Sequence, residues 1–330
     1  MVDESTEEVQ ATTEKKPTDF GLGEYDEGFE PTYPVKEREV QVEETKADEV
    51  IAPAGESVGE QIETNEEESL TMRKDYFLFV VNSDLMKQII GFLRVLVVEA
   101  KFVLNYDGID VKVVDPSHVG MGIVHIPRDN LREYVVNTEG MEISFDLERV
   151  PKLKQGDVIR FSRAEGQKME IELQGLKQHI TLQNNDYIST PKIPAIHEKY
   201  GFTVSRKTLE PFMASAINVS DSVRMVLTHN SLNLLSINDG EKAETTIQEN
   251  EGLRDIRLPE KTEKIASSYP LEYLSKAFKA GRYSTELTIS FDNDYPLTMD
   301  LTFPVATGKR NGEGVATSSG KFLLAPRMEQ

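Results

Sequence analysis

VKVVDPSHVGMGIVHI, residues 111–126, is the stretch on which the reading of the fold turns. Its two apolar runs flank Asp115, Pro116, Ser117 and His118. Proline presets φ for the second position of a type I turn, and Asp and Ser satisfy nearby backbone donors. Before the turn, Ile109, Val111 and Val113 alternate with Asp110 and Lys112, the period of a half-buried strand. The stretch therefore predicts a β-hairpin. Just upstream, 101–106 forms another strand-like run, joined to 109–114 by Asp107-Gly108, a strong hairpin signal.

Working outward, 76–81 (YFLFVV) reads as a buried strand and Ser83 as the N-cap of a helix. In that helix Leu85, Ile89, Leu93 and Leu96 share one face, and Lys87, Gly91 and Arg94 the other. Downstream, a short helical stretch is expected at 128–134, a strand at 141–145, and a second helix at 147–155 ending at Gly156. Strands at 158–162 and 168–173 pair across Glu165-Gly166, and another is expected around 179–183. A linker follows at 184–195, NNDYISTPKIPA, polar yet carrying Tyr187, Ile188 and Ile193.

After the linker the order repeats. A strand (202–204) leads to a helix with Leu209, Phe212, Met213 and Ala216, then to strands at 223–228, 231–237 and 243–248. A strand at 264–267 meets a helix opened by Pro270 and closed by Gly281, and strands at 286–291 and 296–303 follow. Ser83 corresponds to Ser205, Gly156 to Gly281, and the turn at 165–166 to that at 293–294. The pattern predicts an α+β chain built by internal duplication, two helices per unit with strands around them. The domains are expected at 73–183 and 196–330, joined by 184–195 and preceded by a tail at 1–72.

Composition bounds the chemistry. The chain has no cysteine, which excludes disulfides, thiolate metal sites and a cysteine nucleophile, and fits a reducing compartment. It contains no run of about 18 apolar residues, so no membrane span is expected. The N-terminus is acidic rather than basic-then-apolar, so no secretory signal is expected, and a cytoplasmic location is the expectation. Residues 1–70 carry 22 acidic and 5 basic side chains, so most of the net charge of −20 lies there. Their prolines, glycines and Glu clusters predict a disordered tail. Phe20, Tyr25, Phe29 and Tyr33 read more as stray aromatics than as a linear motif. The remaining residues are nearly neutral in sum, with 35 acidic and 32 basic side chains, and beside basic helix faces such a tail is expected to imitate the charge of DNA.

With this order established, the sequence resembles the DNA sliding clamp family, proliferating cell nuclear antigen, in its archaeal form. The residues that carry the resemblance are LNYDGIDVKVVDPSHVGMGIVHI (104–126), YPLEYLSKAFKAG (269–281) and FLLAPRM (322–328). The resemblance covers about 75–330 and implies two clamp domains per chain and three chains closing head to tail. The ring would surround duplex DNA without reading its sequence and tether DNA polymerase, clamp loader, flap endonuclease and DNA ligase at the nucleoid. It implies a partner-peptide pocket of Val114, His118, Val119, Tyr187, Ile188, Ile193, Pro296, Leu323, Leu324, Ala325 and Pro326. It also implies ring contacts near 174–182 and 243–248. No enzyme activity, cofactor or metal is implied.

Basic residues on the polar faces of the four expected helices are candidates to face DNA: Lys87 and Arg94; Arg149, Lys152 and Lys154; Arg206 and Lys207; Lys276, Lys279 and Arg282. No base-reading motif accompanies them, which favours phosphate contact. Two prolines depart from the family pattern. Pro151 shortens the second helix, and Pro211 is expected to delay the third until Thr208, leaving Arg206 and Lys207 ahead of it. Two rivals stand at this point: a subunit of a heterotrimeric clamp or a clamp regulator, and, remotely, a hydrolase using His118 with Asp115. The histidines show no HExxH spacing and the chain has no GxSxG elbow.

Overall fold

The computed structural model describes residues 71–304 and 317–328. The first half runs β1 (Phe77–Asn82), α1 (Ser83–Leu93), β2 (Glu99–Asn105), β3 (Gly108–Val114), β4 (Gly120–Pro127), β5 (Leu131–Val136), β6 (Met141–Asp146), β7 (Val158–Arg163), β8 (Lys168–Leu173) and β9 (Leu176–Thr181). The second runs β10 (Gly201–Ser205), α2 (Arg206–Ala216), β11 (Ser222–Thr228), β12 (Ser231–Asn238), β13 (Glu241–Gln248), β14 (Leu253–Arg257), β15 (Lys264–Pro270), α3 (Leu271–Ala280), β16 (Glu286–Ser290), β17 (Leu297–Phe303) and β18 (Ser318–Leu324). The acidic stretch 1–70 with its four aromatics, and 305–316 of the loop before β18, lie outside the described residues.

The duplication is visible in the sheets. One sheet has the order β5-β1-β7-β8-β9 and another β13-β12-β11-β15. The third, of nine strands, runs β14-β10-β16-β17-β18-β4-β3-β2-β6. Its first five strands are the second-half counterparts of the five-stranded sheet. Its last four are the first-half counterparts of the four-stranded sheet. The two blocks meet where β18 lies antiparallel beside β4. The counterparts of those two strands, β9 and β13, are outermost in their own sheets.

Strict alternation builds the nine-stranded sheet. On β4, Gly120, Gly122, Val124 and Ile126 are buried, while Met121, Ile123 and His125 are half-buried on the other face. The two glycines make room for α1. A Cβ at Gly122 would stand 2.9 Å from the Phe92 ring and 3.0 Å from Leu96, and one at Gly120 2.9 Å from Leu96 and 3.2 Å from Tyr273. The helices α1 and α3 thus press on one face of this sheet, leaving the Met121 face outside. At the end of α3, Gly281 has φ −74°, so it needs no left-handed backbone. Its role is clearance: a Cβ would meet Leu301 at 3.0 Å and Leu287 at 3.1 Å.

Four local expectations are corrected. The helix expected at 147–155 is one 3-10 turn, Leu147–Arg149, so the first half has one α-helix among the described residues. Val150 precedes Pro151 and adopts ψ 129°, as the clash of a proline ring with its predecessor requires. Residues 128–134, read as helical, form the 3-10 turn Arg128–Asn130 and the start of β5. The cap of α1 is Asn82, whose side chain accepts from Asp84 N at 2.8 Å; Ser83 is the first helical residue and donates through Oγ to the Lys154 carbonyl at 2.5 Å. Finally, α2 begins at Arg206 and holds Pro211 in its interior. The helix forgoes the bond from residue 211 to the Lys207 carbonyl, and burial of Leu209, Phe212, Met213 and Ala216 offsets the loss.

Candidate partner-docking and DNA-facing sites

The hairpin turn is organised by Asp115, which is 3% exposed. Its backbone closes the expected turn, with His118 N donating to Asp115 O at 2.9 Å. Its Oδ1 accepts from Val119 N at 2.8 Å and Gly120 N at 2.6 Å, and its Oδ2 accepts from Ser117 N at 2.9 Å. The fourth donor comes from the other half of the chain: Tyr273 Oη on α3 donates to Oδ2 at 2.7 Å. Burial pushes the carboxyl upward, but these four donors outweigh it and hold Asp115 below the usual carboxylate range. The same bond raises Tyr273. His118 sits at φ +57° with an exposed side chain, and none of Asp115's side-chain bonds goes to it. Asp115 is a structural carboxylate, so the geometry gives a His118–Asp115 base pair no support.

Beside the turn, four residues stand in register on the sheet face turned away from α1 and α3; Val114 and Met121 are half-buried there, Leu323 and Thr298 buried. Val114 pairs with Met121, Met121 with Leu323, and Leu323 with Thr298. The adjacent row, Val113, Gly122, Phe322 and Met299, faces the core. Leu324 shares the parity of Phe322, is fully buried and belongs to the core, so its expected place in the pocket is corrected. Met121 lies between Val114 and Leu323 and was missing from the expected set. The alternation of GMGIVHI carries the signal for it, because it puts Met121 opposite the glycines. Val119 O accepts from Ala325 N at 2.9 Å, and Leu297 pairs with Leu324, so Val119, Ala325 and Pro296 gather at one end of this row.

The linker crosses the same face. At its start Asn185 Nδ2 donates to Glu142 O on β6 at 2.8 Å. At its end the His197 ring stacks on Tyr295 with centroids 4.1 Å apart, and Glu198 pairs with Lys321 on β18. Between these ties, Tyr187 is 87% and Ile193 48% exposed, while Ile188 is half-buried, as is Pro326 beyond the end of β18. Exposed apolar side chains next to an apolar row suit the docking of an amphipathic peptide.

The basic residues divide. Lys87, Arg94, Lys152 and Arg282 line one cleft of about 370 Å³, floored by Ile90, Leu147, Val150, Pro151 and Leu153. Lys207 and Lys279 are exposed. Lys276 is tied to Glu272 at 2.6 Å and lies 4.7 Å over the Tyr273 ring. Arg206 is turned inward: its guanidinium lies 5.0 Å over the Phe278 ring and reaches Glu210 at 3.4 Å, which argues against a DNA-facing role. Arg149 and Lys154 are exposed but sit at and after the 3-10 turn, not on an α-helix. Arg149 leans on Asp146 at 3.5 Å.

Comparison with known proteins decides the family. Residues 78–185 match the family described as "Proliferating cell nuclear antigen, N-terminal domain". A DNA polymerase sliding clamp from Thermoplasma acidophilum is 33% identical over 254 residues, covering 74% of this chain and 96% of the relative. One from Picrophilus torridus is 35% identical over 248 residues, with the same coverage. The chain belongs to the DNA polymerase sliding clamp family. A sliding clamp is a processivity factor and not an enzyme. The clamp's fold is also that of solved relatives. Proliferating cell nuclear antigen from Thermococcus kodakaraensis superposes with a TM-score of 0.66 at 24% identity, over 76% of this chain and all of that one. The A. fulgidus protein, solved with the C-terminal region of FEN-1 bound, gives 0.66 at 20% identity over 77% of this chain and 99% of that one. No helix among the described residues of the clamp is long and apolar enough to cross a membrane.

Proposed function

We propose that three copies of this clamp close head to tail around duplex DNA and tether DNA polymerase, clamp loader, flap endonuclease and DNA ligase at the nucleoid in the cytoplasm. The observation that carries this is the repeated sheet order. A five-strand block and a four-strand block join inside the chain through β18 and β4, and the counterpart strands β9 and β13 are left at sheet edges. Unpaired edges invite another chain, and a head-to-tail contact that closes removes every edge. Clamp domains at 73–183 and 196–330, joined by the connecting segment 184–195, follow from the same repeat.

Partners dock, in this reading, on the outer row of Val114, Met121 and Leu323, with His118, Val119, Pro296, Ala325 and Pro326 at one end and Tyr187, Ile188 and Ile193 above it. DNA is met on the opposite face, where α1 and α3 carry Lys87, Lys276 and Lys279, Arg94 caps α1, and the neighbouring segments carry Lys152 and Arg282. Such phosphate contacts are salt-sensitive and permit sliding.

The test is topological. Loaded by an archaeal clamp loader onto a nicked DNA circle, the protein is expected to stay bound through gel filtration and to leave once the circle is cut. Retention on linear DNA equal to that on circles overturns encirclement. Replacing Lys87, Lys152 and Lys279 by Ala is expected to reduce the slope of log affinity against log salt by about one unit for each phosphate no longer neutralised. An unchanged slope removes them from the DNA face.

A further inference from the structure

The docking surface is divided between the two halves of the chain. Val114, His118, Val119 and Met121 come from the first, and Pro296, Leu323, Ala325 and Pro326 from the second. Two hydrogen bonds tie the hairpin turn across this division. Ala325 N donates to Val119 O at 2.9 Å, and Tyr273 Oη donates to Asp115 Oδ2 at 2.7 Å. The donors from Ser117, Val119 and Gly120 belong to the turn itself and close it. The Tyr273 bond instead sets where the closed turn stands against the second half.

Tyr273 reaches the turn from the helix side of the sheet. It is half-buried on α3, and its ring passes over Gly120, where a Cβ would stand 3.2 Å from Cδ1. Three residues along the helix, Lys276 lies 4.7 Å from the centre of that ring and 2.6 Å from Glu272. Glu272, Lys276 and Lys279 follow at helical spacing, on a different side of α3 from the buried Leu271, Leu274 and Phe278. Glu272 first, against partial burial, holds Lys276 above the usual lysine range, with smaller contributions from Tyr273 and the charge of Asp115. A cation over the ring draws electron density from the phenol and makes its hydroxyl a stronger donor. Lys276, Tyr273 and Asp115 therefore form a relay from the basic helix face to the docking turn.

We propose that Tyr273 is a positioning residue for partner docking and couples the two faces of the clamp. A DNA phosphate that draws Lys276 off the ring weakens the Tyr273 donor, loosens the docking turn and lowers peptide affinity. By linkage, a bound peptide lowers DNA affinity by the same factor. The proposal rests on the proposed DNA and docking faces and adds the connection between them.

Fluorescence anisotropy with a C-terminal peptide of an archaeal flap endonuclease tests it on the full-length protein. Tyr273→Phe keeps the ring, removes the hydroxyl and is expected to weaken the peptide roughly tenfold. Lys276→Met is expected to weaken it about twofold to fivefold while the hydroxyl is present, and to add nothing in the Tyr273→Phe background. Lys276→Arg, which keeps a cation over the ring, is expected to retain wild-type affinity. Wild type loaded on a nicked circle is expected to bind the peptide about twofold to fivefold more weakly than the free protein, and Tyr273→Phe equally in both states. A hydroxyl with a structural role alone would lower the unfolding midpoint and leave the affinity of the folded protein unchanged. Additive effects of the two substitutions, or equal wild-type affinity on and off DNA, overturn the coupling. A wild type that binds no peptide overturns the docking reading itself, and one that is not retained on circles overturns encirclement.

Discussion

Asp115→Ala is expected to cost about 3 kcal/mol of stability, because it leaves several buried donors without an acceptor at once. Three backbone N–H groups of the turn and the Tyr273 hydroxyl all converge on this one carboxylate. A buried donor left unmatched costs about 1–3 kcal/mol, and water entering the loosened turn would recover part of the sum. Asp115→Asn keeps one carbonyl oxygen but replaces the other with an amide donor, so it is expected to fall between wild type and Asp115→Ala. Thermal unfolding at one fixed protein concentration is the measurement, since assembly makes the midpoint depend on concentration. The effect has a pH signature. The folded value of Asp115 is depressed, so its contribution is complete above the unfolded-chain value of about 3.9 and is lost as pH falls through the lower folded value. The gap between wild type and Asp115→Ala should therefore be widest above about pH 5 and narrow in strong acid. A gap that stays constant from neutral pH into strong acid would contradict the assignment.

Leu323 and Leu324 are neighbours with opposite expected phenotypes. Leu324 is fully buried among core residues, so Leu324→Ala opens a cavity and is expected to cost about 2–5 kcal/mol. Leu323 points to the outer face between Met121 and Thr298. Leu323→Ala is expected to weaken binding of a C-terminal peptide from an archaeal flap endonuclease about tenfold, or roughly 1.4 kcal/mol, with the smaller stability loss of the two. Calorimetry with that peptide and chemical denaturation separate them. If Leu324→Ala lost peptide affinity at full stability, the assigned parity of β18 would be wrong.

Much of the architecture is legible in the chain because it rests on period-two alternation and on turn residues. The hairpins at 107–108 and 165–166, the buried interior strand β1 and the repeated order all follow from local pattern. What local pattern misses has identifiable causes. The segment 147–155 carries helical spacing, but Pro151 forces Val150 into extended backbone and stops the helix after one 3-10 turn. Pro211 presents the same residue type and the helix continues, because the face it serves is buried. Only the three-dimensional setting separates these two prolines. At the docking site, family resemblance supplied Leu324, and strand parity moves it to the core and brings in Met121. Arg206 looks like any basic residue in sequence; the Phe278 ring and Glu210 that hold it inward are far away or on the next turn.

Everything proposed for the edges β9 and β13 depends on this one chain building a closed ring by itself. The most direct measurement is the mass of the full-length protein, expressed alone and held at micromolar concentration, by sedimentation or native mass spectrometry. A single species of three times the chain mass of 37.2 kDa is expected. A monomer, or a ring that forms only after a second, different chain is added, would overturn self-closure.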